Sequence, residues 1–270
     1  MSSNVQQFPQ MLTVAGIDSS GGAGINADVA TAFAHHVYPA TVVVAVTAQN
    51  TYGVQGVQLL EPQIIEQQFA SIADDLAIRA VKTGMLGDQQ HVEIVAKALA
   101  NYDFGPIIID PVMVAKGGAK LLSNEAVTAV KTKLLPLATL VTPNLLEAQQ
   151  LTGIEINTPD NLVTAAHILQ SLGAKNVLIK GGHAIGNELT DYILLANQTE
   201  FTLVNSRVDT IRTHGTGDTY AAAIASNLAL GYDLVSSIKQ AKEYLYTTIT
   251  NQIIVGHGHG PLNHWGRMCN

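Results

Sequence analysis

Short β-branched apolar runs alternate with longer helix-like stretches along most of the chain. This alternation limits the possible folds more than any other feature. Met11–Ala15, Thr41–Ala48, Ala80–Thr83, Ile107–Pro111, Leu140–Thr142, Val177–Lys180 and Ile193–Ala196 read as strands. Asn26–Phe33, Pro62–Asp75, His91–Asn101, Asn124–Leu135, Leu145–Leu151 and Leu162–Leu172 read as helices, and Gly217–Ala229 and Asp233–Thr250 as two more with no strand between them. Such alternation predicts right-handed βαβ units: an α/β protein of three layers, with a mainly parallel sheet covered by helices on both faces. No repeat, heptad array or Pro/Ser-rich linker interrupts it, so residues 1–270 are expected to form one domain.

Composition narrows the function. Apolar residues make up 47% of the chain, ample for a core, and charged residues only 13%, which argues against disorder. The net charge of −7 argues against a general nucleic-acid binder, whose partner needs clustered Lys and Arg. Any phosphate must be held locally by a few cations, backbone amides or a metal. The single cysteine, Cys269, rules out an intramolecular disulfide framework and any cysteine-cluster metal site. The N-terminus does not read as a signal peptide, and the most apolar run, Ala40–Ala48, is far short of the roughly 20 residues that span a bilayer. No membrane association and a cytoplasmic location are expected.

In open α/β sheets ligands bind beyond the carboxyl ends of the strands. The segments there are 16–24, 49–53, 84–88, 111–118, 143–147 and 181–187, and they concentrate glycines and polar groups in a charge-poor chain. Gly22–Ala27 satisfies the G-x-G-x-x-G/A pattern after a strand. The acidic residue that a dinucleotide site needs about 20 positions on is absent from Thr47–Asn50, which disfavours a nicotinamide cofactor. The alternative is a tight strand-to-helix turn with Ser20 near the cap. It leaves Asp18 unexplained, so a small polar ligand is expected at this turn.

The strongest signal is Thr213-His214-Gly215-Thr216-Gly217-Asp218-Thr219, directly before an Ala-rich helix. Two glycines let the backbone approach a ligand, and the amides of a helix start form an anion-binding nest. Asp218 there can be a simple dipole complement. Beside an anion hole it is also what phosphoryl transfer to an alcohol requires: a carboxylate that takes the proton of the attacking hydroxyl. Asn144 and Glu147 open another helix, either as a capping pair or as holders of Mg²⁺ through water. Lys180, before Gly181 and Gly182, ends a strand within reach of a phosphate. His35 and His36 are expected to be partly exposed, and the stretch Gly256–Gly260 with His264 is expected to be a mobile tail rather than a metal site. The P-loop, H-R-D and G-x-S-x-G signatures are absent.

Taken together, AGIDSSGGAGINAD (15–28), AVTAQNTYGVQGV (45–57), VKTGMLGD (81–88), DPVMVAKGG (110–118), TPNLLEA (142–148), IKGGH (179–183), THGTGDT (213–219) and GHGPLNH (258–264) closely resemble the hydroxymethylpyrimidine and phosphomethylpyrimidine kinases of thiamine synthesis. These belong to the ribokinase-like superfamily, which also contains pyridoxal kinases, some of them on this same scaffold. The resemblance implies a homodimer that moves the γ-phosphate of Mg²⁺-bound ATP to a hydroxymethyl group on a heteroaromatic ring. It implies an anion hole at Gly215, Thr216 and Gly217 with Asp218 as catalytic base. Gly16, Asp18, Gln49, Met85, Val112 and His214 would form the substrate pocket, and Asp110, Asn144, Lys180 and Thr213 the nucleotide side. Asp110 and Glu147 would hold the metal. The family usually has Cys where this chain has Asp218, and Asp is what many pyridoxal kinases carry. The resemblance therefore implies a pyrimidine substrate, with a vitamin B6 pyridine as the alternative. Gly117 and Gly118 are candidate hinges of a flap over the site.

Overall fold

β1 (Gln10–Asp18) is buried over nearly its whole length, and its flanking strands run parallel to it: β2 (Tyr38–Asn50) on one side and β4 (Ile78–Thr83) on the other. This is the computed structural model of the chain, and it describes residues 7–113, 122–181 and 187–266. Beyond β4 the parallel sheet continues through β5 (Ile107–Ile109), β6 (Leu140–Val141) and β7 (Asn176–Ile179). Both edges are antiparallel. β3 (Gly53–Leu59) folds back on β2, while β8 (Glu188–Leu194) and β9 (Glu200–Ser206) extend the other side. The order among the described strands is β3-β2-β1-β4-β5-β6-β7-β8-β9.

Successive strand residues point to opposite faces, and both faces are apolar. Met11, Ala80, Ile108, Leu140 and Leu178 face one core, which contains α1 (Gly24–Ala34), α7 (Thr216–Ala229) and α8 (Leu234–Thr250). Their neighbours Leu12, Val81, Ile109, Val141 and Val177 face the other, against α2 (Pro62–Asp75), α3 (Gln89–Asn101), α4 (Asn124–Ala129), α5 (Leu145–Thr152) and α6 (Pro159–Ser171). The three-layer α/β architecture expected from the sequence is thus present. α7 runs through its core layer on Ala221, Ala222, Ala223 and Ala225, all fully buried. Their small size lets the helix lie close to the sheet and bring its first turn to the strand ends.

Several local expectations need correction. The stretch 124–135 is not one α-helix: it widens to a π-helix at Val130–Leu134 and tightens to a 3₁₀ turn at Leu135–Leu137. Pro136 has no amide to continue the i→i−4 ladder, and its ring crowds the preceding turn. The strand placed at 193–196 runs instead from Glu188 to Leu194 and pairs antiparallel with β7. β3 and β9 were not expected as strands. Cys269, Gly117, Gly118 and Gly182 lie outside the described residues.

Candidate active site

Six strand ends converge on one rim. The parallel strands place Asp18 at the end of β1 and Gln49 near the end of β2, and Met85, Asp110, Asn144 and Lys180 just past β4, β5, β6 and β7. The first turn of α7 closes the rim from the side. Together they line a cavity of about 370 Å³, within the usual range for small-molecule sites. The residues that the resemblance assigns to the catalytic, substrate, nucleotide and metal sites all line it: Gly16, Asp18, Gln49, Met85, Asp110, Val112, Asn144, Glu147, Lys180 and the run Thr213–Asp218. Val54, Leu146 and Gln150 also line it and were not anticipated, since apolar and amide side chains carry no chemical signature in sequence.

The α7 start is shaped by its glycines. Gly215 is the N-cap, with φ of 80°, and a Cβ there would lie 2.0 Å from the Gly22 carbonyl oxygen. Only glycine fits where two loops press this closely. Gly217 has an ordinary helical conformation, but a Cβ would lie 3.1 Å from Asp110 Oδ2 and 3.3 Å from Lys180 Nζ. Its missing side chain leaves the first-turn amides facing the polar end of the cavity, where the positive end of the helix dipole favours an anion.

Lys180 supplies the cation there. Its Nζ donates to Asp110 Oδ1 at 2.6 Å, and Thr142 Oγ1 donates to the same oxygen at 3.2 Å. Burial works against the ammonium, but Asp110 and Glu147 outweigh it and keep Lys180 protonated above its ordinary range. Asn144 and Glu147 form a complete capping box: Glu147 N–H donates to Asn144 Oδ1 at 3.0 Å, and Asn144 N–H donates to Glu147 Oε2 at 2.8 Å. Burial pushes the Glu147 carboxyl up to about 7, Lys180 opposing and Asp110 adding to the effect. Two carboxylates sharing one ammonium make an oxygen-rich, electron-rich corner. That donor chemistry fits a hard divalent cation held partly through water.

At the other end, Asp18 is the hub of the glycine turn. Its carboxylate accepts from the Ser20 N–H and hydroxyl, from the N–H groups of Gly22 and Ala23, and pairs with His214 Nε2 at 2.7 Å. Burial raises its pKa, but His214 and the Ser20 bonds outweigh this and hold it below the ordinary carboxylate range. Ser20 is therefore not a helix cap; the N-cap of α1 is Ala23, which makes no side-chain cap, and Ser20 serves Asp18 instead. Gln49 Nε2 lies 3.0 Å from His214 Nε2, and Gln49 Oε1 accepts from Thr47 Oγ1 at 3.1 Å.

The glycine-rich C-terminal segment is docked, contrary to expectation. His259 N–H donates to the Thr51 carbonyl at 2.7 Å, His214 N–H donates to the Gly260 carbonyl, and Leu262 is buried. His35 is buried too, edge-on to Tyr244, because its ring Nδ1 pairs with the Thr31 carbonyl one turn earlier. His264 lies 3.1 Å from the Tyr244 hydroxyl, and burial, with His35 nearby, lowers its pKa to about 4. Among the described residues no group of three or more His, Cys, Asp or Glu forms a metal cluster.

Two charged residues beneath the site were missed. Lys82 on β4 is completely buried, and its Nζ donates at 2.9 Å to both Asp218 Oδ1 and Asp28 Oδ2. The Gly24 N–H donates to the same Asp218 carboxylate. Burial raises Asp218, but Lys82 and these bonds outweigh it and hold it below the ordinary carboxylate range. A lone lysine inside an apolar strand of a charge-poor chain was the available signal.

A mainly parallel sheet that gathers a glycine-framed helix start, a flanking carboxylate and a lysine at its strand ends defines a phosphotransferase of the ribokinase-like class. The chain belongs to the phosphomethylpyrimidine kinase family, whose pattern it matches over residues 18–263. It is 46% identical over 266 residues to the hydroxymethylpyrimidine/phosphomethylpyrimidine kinase of Haemophilus influenzae, covering 97% of this chain and 98% of that one. Among solved structures it resembles an ADP complex of Bacillus subtilis pyridoxal kinase, at a TM-score of 0.91 and 36% identity, covering 98% and 100% of the two chains. It also resembles phosphomethylpyrimidine kinase from Clostridium difficile, at 0.78 and 38%, covering 89% and 98%.

Proposed function

We propose that the protein transfers the γ-phosphate of ATP to the exocyclic hydroxymethyl group of hydroxymethylpyrimidine and to its monophosphate, in thiamine synthesis. The observation that carries this is one continuous cavity. It joins a pocket for a flat ring, at Gly16, Gln49, Met85 and Val112, to the α7 start and the Lys180–Asp110–Glu147 corner. The 46% identity to a kinase of that name, over nearly the full length of both chains, supports the pyrimidine as the ring.

In this reading the amides of Gly215, Thr216 and Gly217 hold the transferring phosphoryl group, with Lys180 and Thr213 on its nucleotide side. Asp218 orients the acceptor hydroxyl and takes its proton as the new O–P bond forms and the bond to the ADP oxygen breaks. Asp18, tied into the glycine turn, holds His214, and Gln49 lies beside it at the ring pocket. Asp110 and Glu147, with Asn144 setting the turn, would hold Mg²⁺, which supplies neutralisation of phosphate charge when bound.

A vitamin B6 kinase is the second reading. It is favoured by Asp218 itself and by the structural similarity to a pyridoxal kinase at a TM-score of 0.91. Both substrates are six-membered rings with a hydroxymethyl arm. Val46 and Val57 are exposed on the β2–β3 ribbon, which supports a homodimer through that ribbon. Among the described residues no helix is long and apolar enough to cross a membrane. We place the enzyme, as one kinase domain over residues 1–270, in the cytoplasm with its ATP.

Asp218→Asn tests the assignment of the base. Turnover should fall by about 10²–10⁴-fold, the usual worth of a general base, with ADP affinity within a few-fold of the parent. Unchanged turnover would remove Asp218 from the chemistry.

A further inference from the structure

Lys82 projects from β4 into the layer between α1 and α7, with 0% of its side chain exposed. An ammonium buried this way costs several kcal/mol unless it is paired, and one carboxylate would suffice to pair it. It has two. Asp28, on α1, is also fully buried, and Asp218 on α7 is 14% exposed and opens onto the cavity. Asp28 Oδ2 accepts from Thr13 Oγ1 as well as from Lys82, so Asp28 is fixed from β1 and β4 together. The turn after β4 is cut to fit: a Cβ on Gly84 would lie 2.9 Å from Lys82 Nζ and 3.6 Å from Asp218 Oδ1.

We infer that Lys82 is a positioning residue for the base: clamped by Asp28, its ammonium fixes Asp218 by Oδ1 and leaves the other carboxylate oxygen to the acceptor hydroxyl. This rests on the reading of Asp218 as the base. It adds a function for two residues that touch neither substrate nor nucleotide. The clamp also sets how basic Asp218 is. With Asp28 ionised, the ammonium's charge is divided between two carboxylates. With Asp28 neutral it falls on Asp218 alone and weakens the base.

The groups facing this cluster come from every neighbouring element. They are Thr13 on β1, Asp28 and the Gly24 amide on α1, Lys82 on β4, Asp110 after β5, Lys180 at the end of β7, and His214 before α7. Burial, with Asp218 close by, pushes Asp28 up to about 7 against the pull of Lys82.

The test is the pH profile of kcat/KM for the hydroxymethyl substrate, measured on the full chain, on Asp28→Asn and on the charge-neutral double variant Lys82→Met/Asp28→Asn. The double variant keeps the net charge of the cluster, and Asp218 retains the Gly24 amide and its opening onto the cavity, so the fold is kept. In Asp28→Asn the acid limb should stay in place, because Asp28 is already neutral below about 7, and above pH 7 the plateau should lie about 3- to 10-fold below the parent's, because Lys82 then serves Asp218 alone. In the double variant the limb should move up by about one unit, and kcat should fall about 10- to 100-fold with the KM for ATP unchanged. A double-variant limb that stays in place, with the Asp28→Asn plateau equal to the parent's above pH 7 and only the melting temperature altered, would overturn the inference and leave a structural ion pair. If the parent turns over no hydroxymethyl substrate, the functional reading fails on its own. The clamp is then read from the ¹³C-carboxyl titration of Asp218, which must move up in the double variant and stay in place in Asp28→Asn.

Discussion

The two glycines at the α7 start make opposite predictions, although both become alanine. At Gly217 the backbone is ordinary helix. Alanine gains about 0.5–1 kcal/mol of helix propensity there, offset by moving Asp110 Oδ2 and Lys180 Nζ a few tenths of an ångström from their 3.1 and 3.3 Å positions. The melting temperature should therefore stay within about 3 °C of the parent. The new methyl nevertheless occupies the corner where a phosphoryl oxygen must reach the amides, and losing such a donor typically costs about 10²–10³-fold in turnover. At Gly215 the φ of 80° costs a non-glycine residue about 1–2 kcal/mol. A Cβ 2.0 Å from the Gly22 carbonyl also forces two loops apart, for about 1–3 kcal/mol more. At about 2–4 °C per kcal/mol for a chain of this size, Gly215→Ala should melt roughly 4–20 °C lower. Thermal melts beside an ADP-release assay separate the two. Gly217→Ala with parental turnover, or Gly215→Ala with an unchanged melt, would refute this account of the anion hole.

Two further perturbations probe the surroundings. Glu147 titrates near 7 when folded, against an ordinary value of 4.5, so its contribution to stability is fully present below about 4.5 and lost as pH rises through about 7. Glu147→Gln should therefore lose less melting temperature than the parent between pH 6 and 8; parallel losses would show that Glu147 is not the group responsible. Leu262→Ala, in the docked segment, should cost about 2–5 kcal/mol. Because Gly260 holds the His214 amide, it should also raise the KM for the acceptor more than that for ATP, and equal rises would detach the segment from the substrate pocket.

Where a segment is buried on both faces or opens with a strong turn signal, sequence and structure agree. β1, β4, β5, β6 and β7 are mostly buried and largely apolar, and Gly215–Asp218 lies where its glycines predict. Agreement fails where tertiary pairing decides. β3 exposes Gln55, Val57 and Gln58 on a sheet edge, so periodicity alone does not separate it from a loop, and β8 begins with Glu188, Thr190 and Asp191 around a single Leu189. His35 looked like a helix-end polar residue and is buried because α8 brings Tyr244 against it. Lys82 and Asp28 stand 54 positions apart, each unremarkable alone, and only the meeting of β4 with α1 and α7 makes them one cluster with Asp218. The Asn144–Glu147 pair shows the converse. Its capping box is real, and it also sets Glu147 beside Lys180 and Asp110.

The central claim is tested most directly by ADP release from Mg²⁺-ATP with hydroxymethylpyrimidine, its monophosphate, pyridoxine and pyridoxal offered separately. The account predicts turnover of the pyrimidine and of its monophosphate. Turnover confined to the two pyridines would contradict it and make this protein a vitamin B6 kinase on the same scaffold.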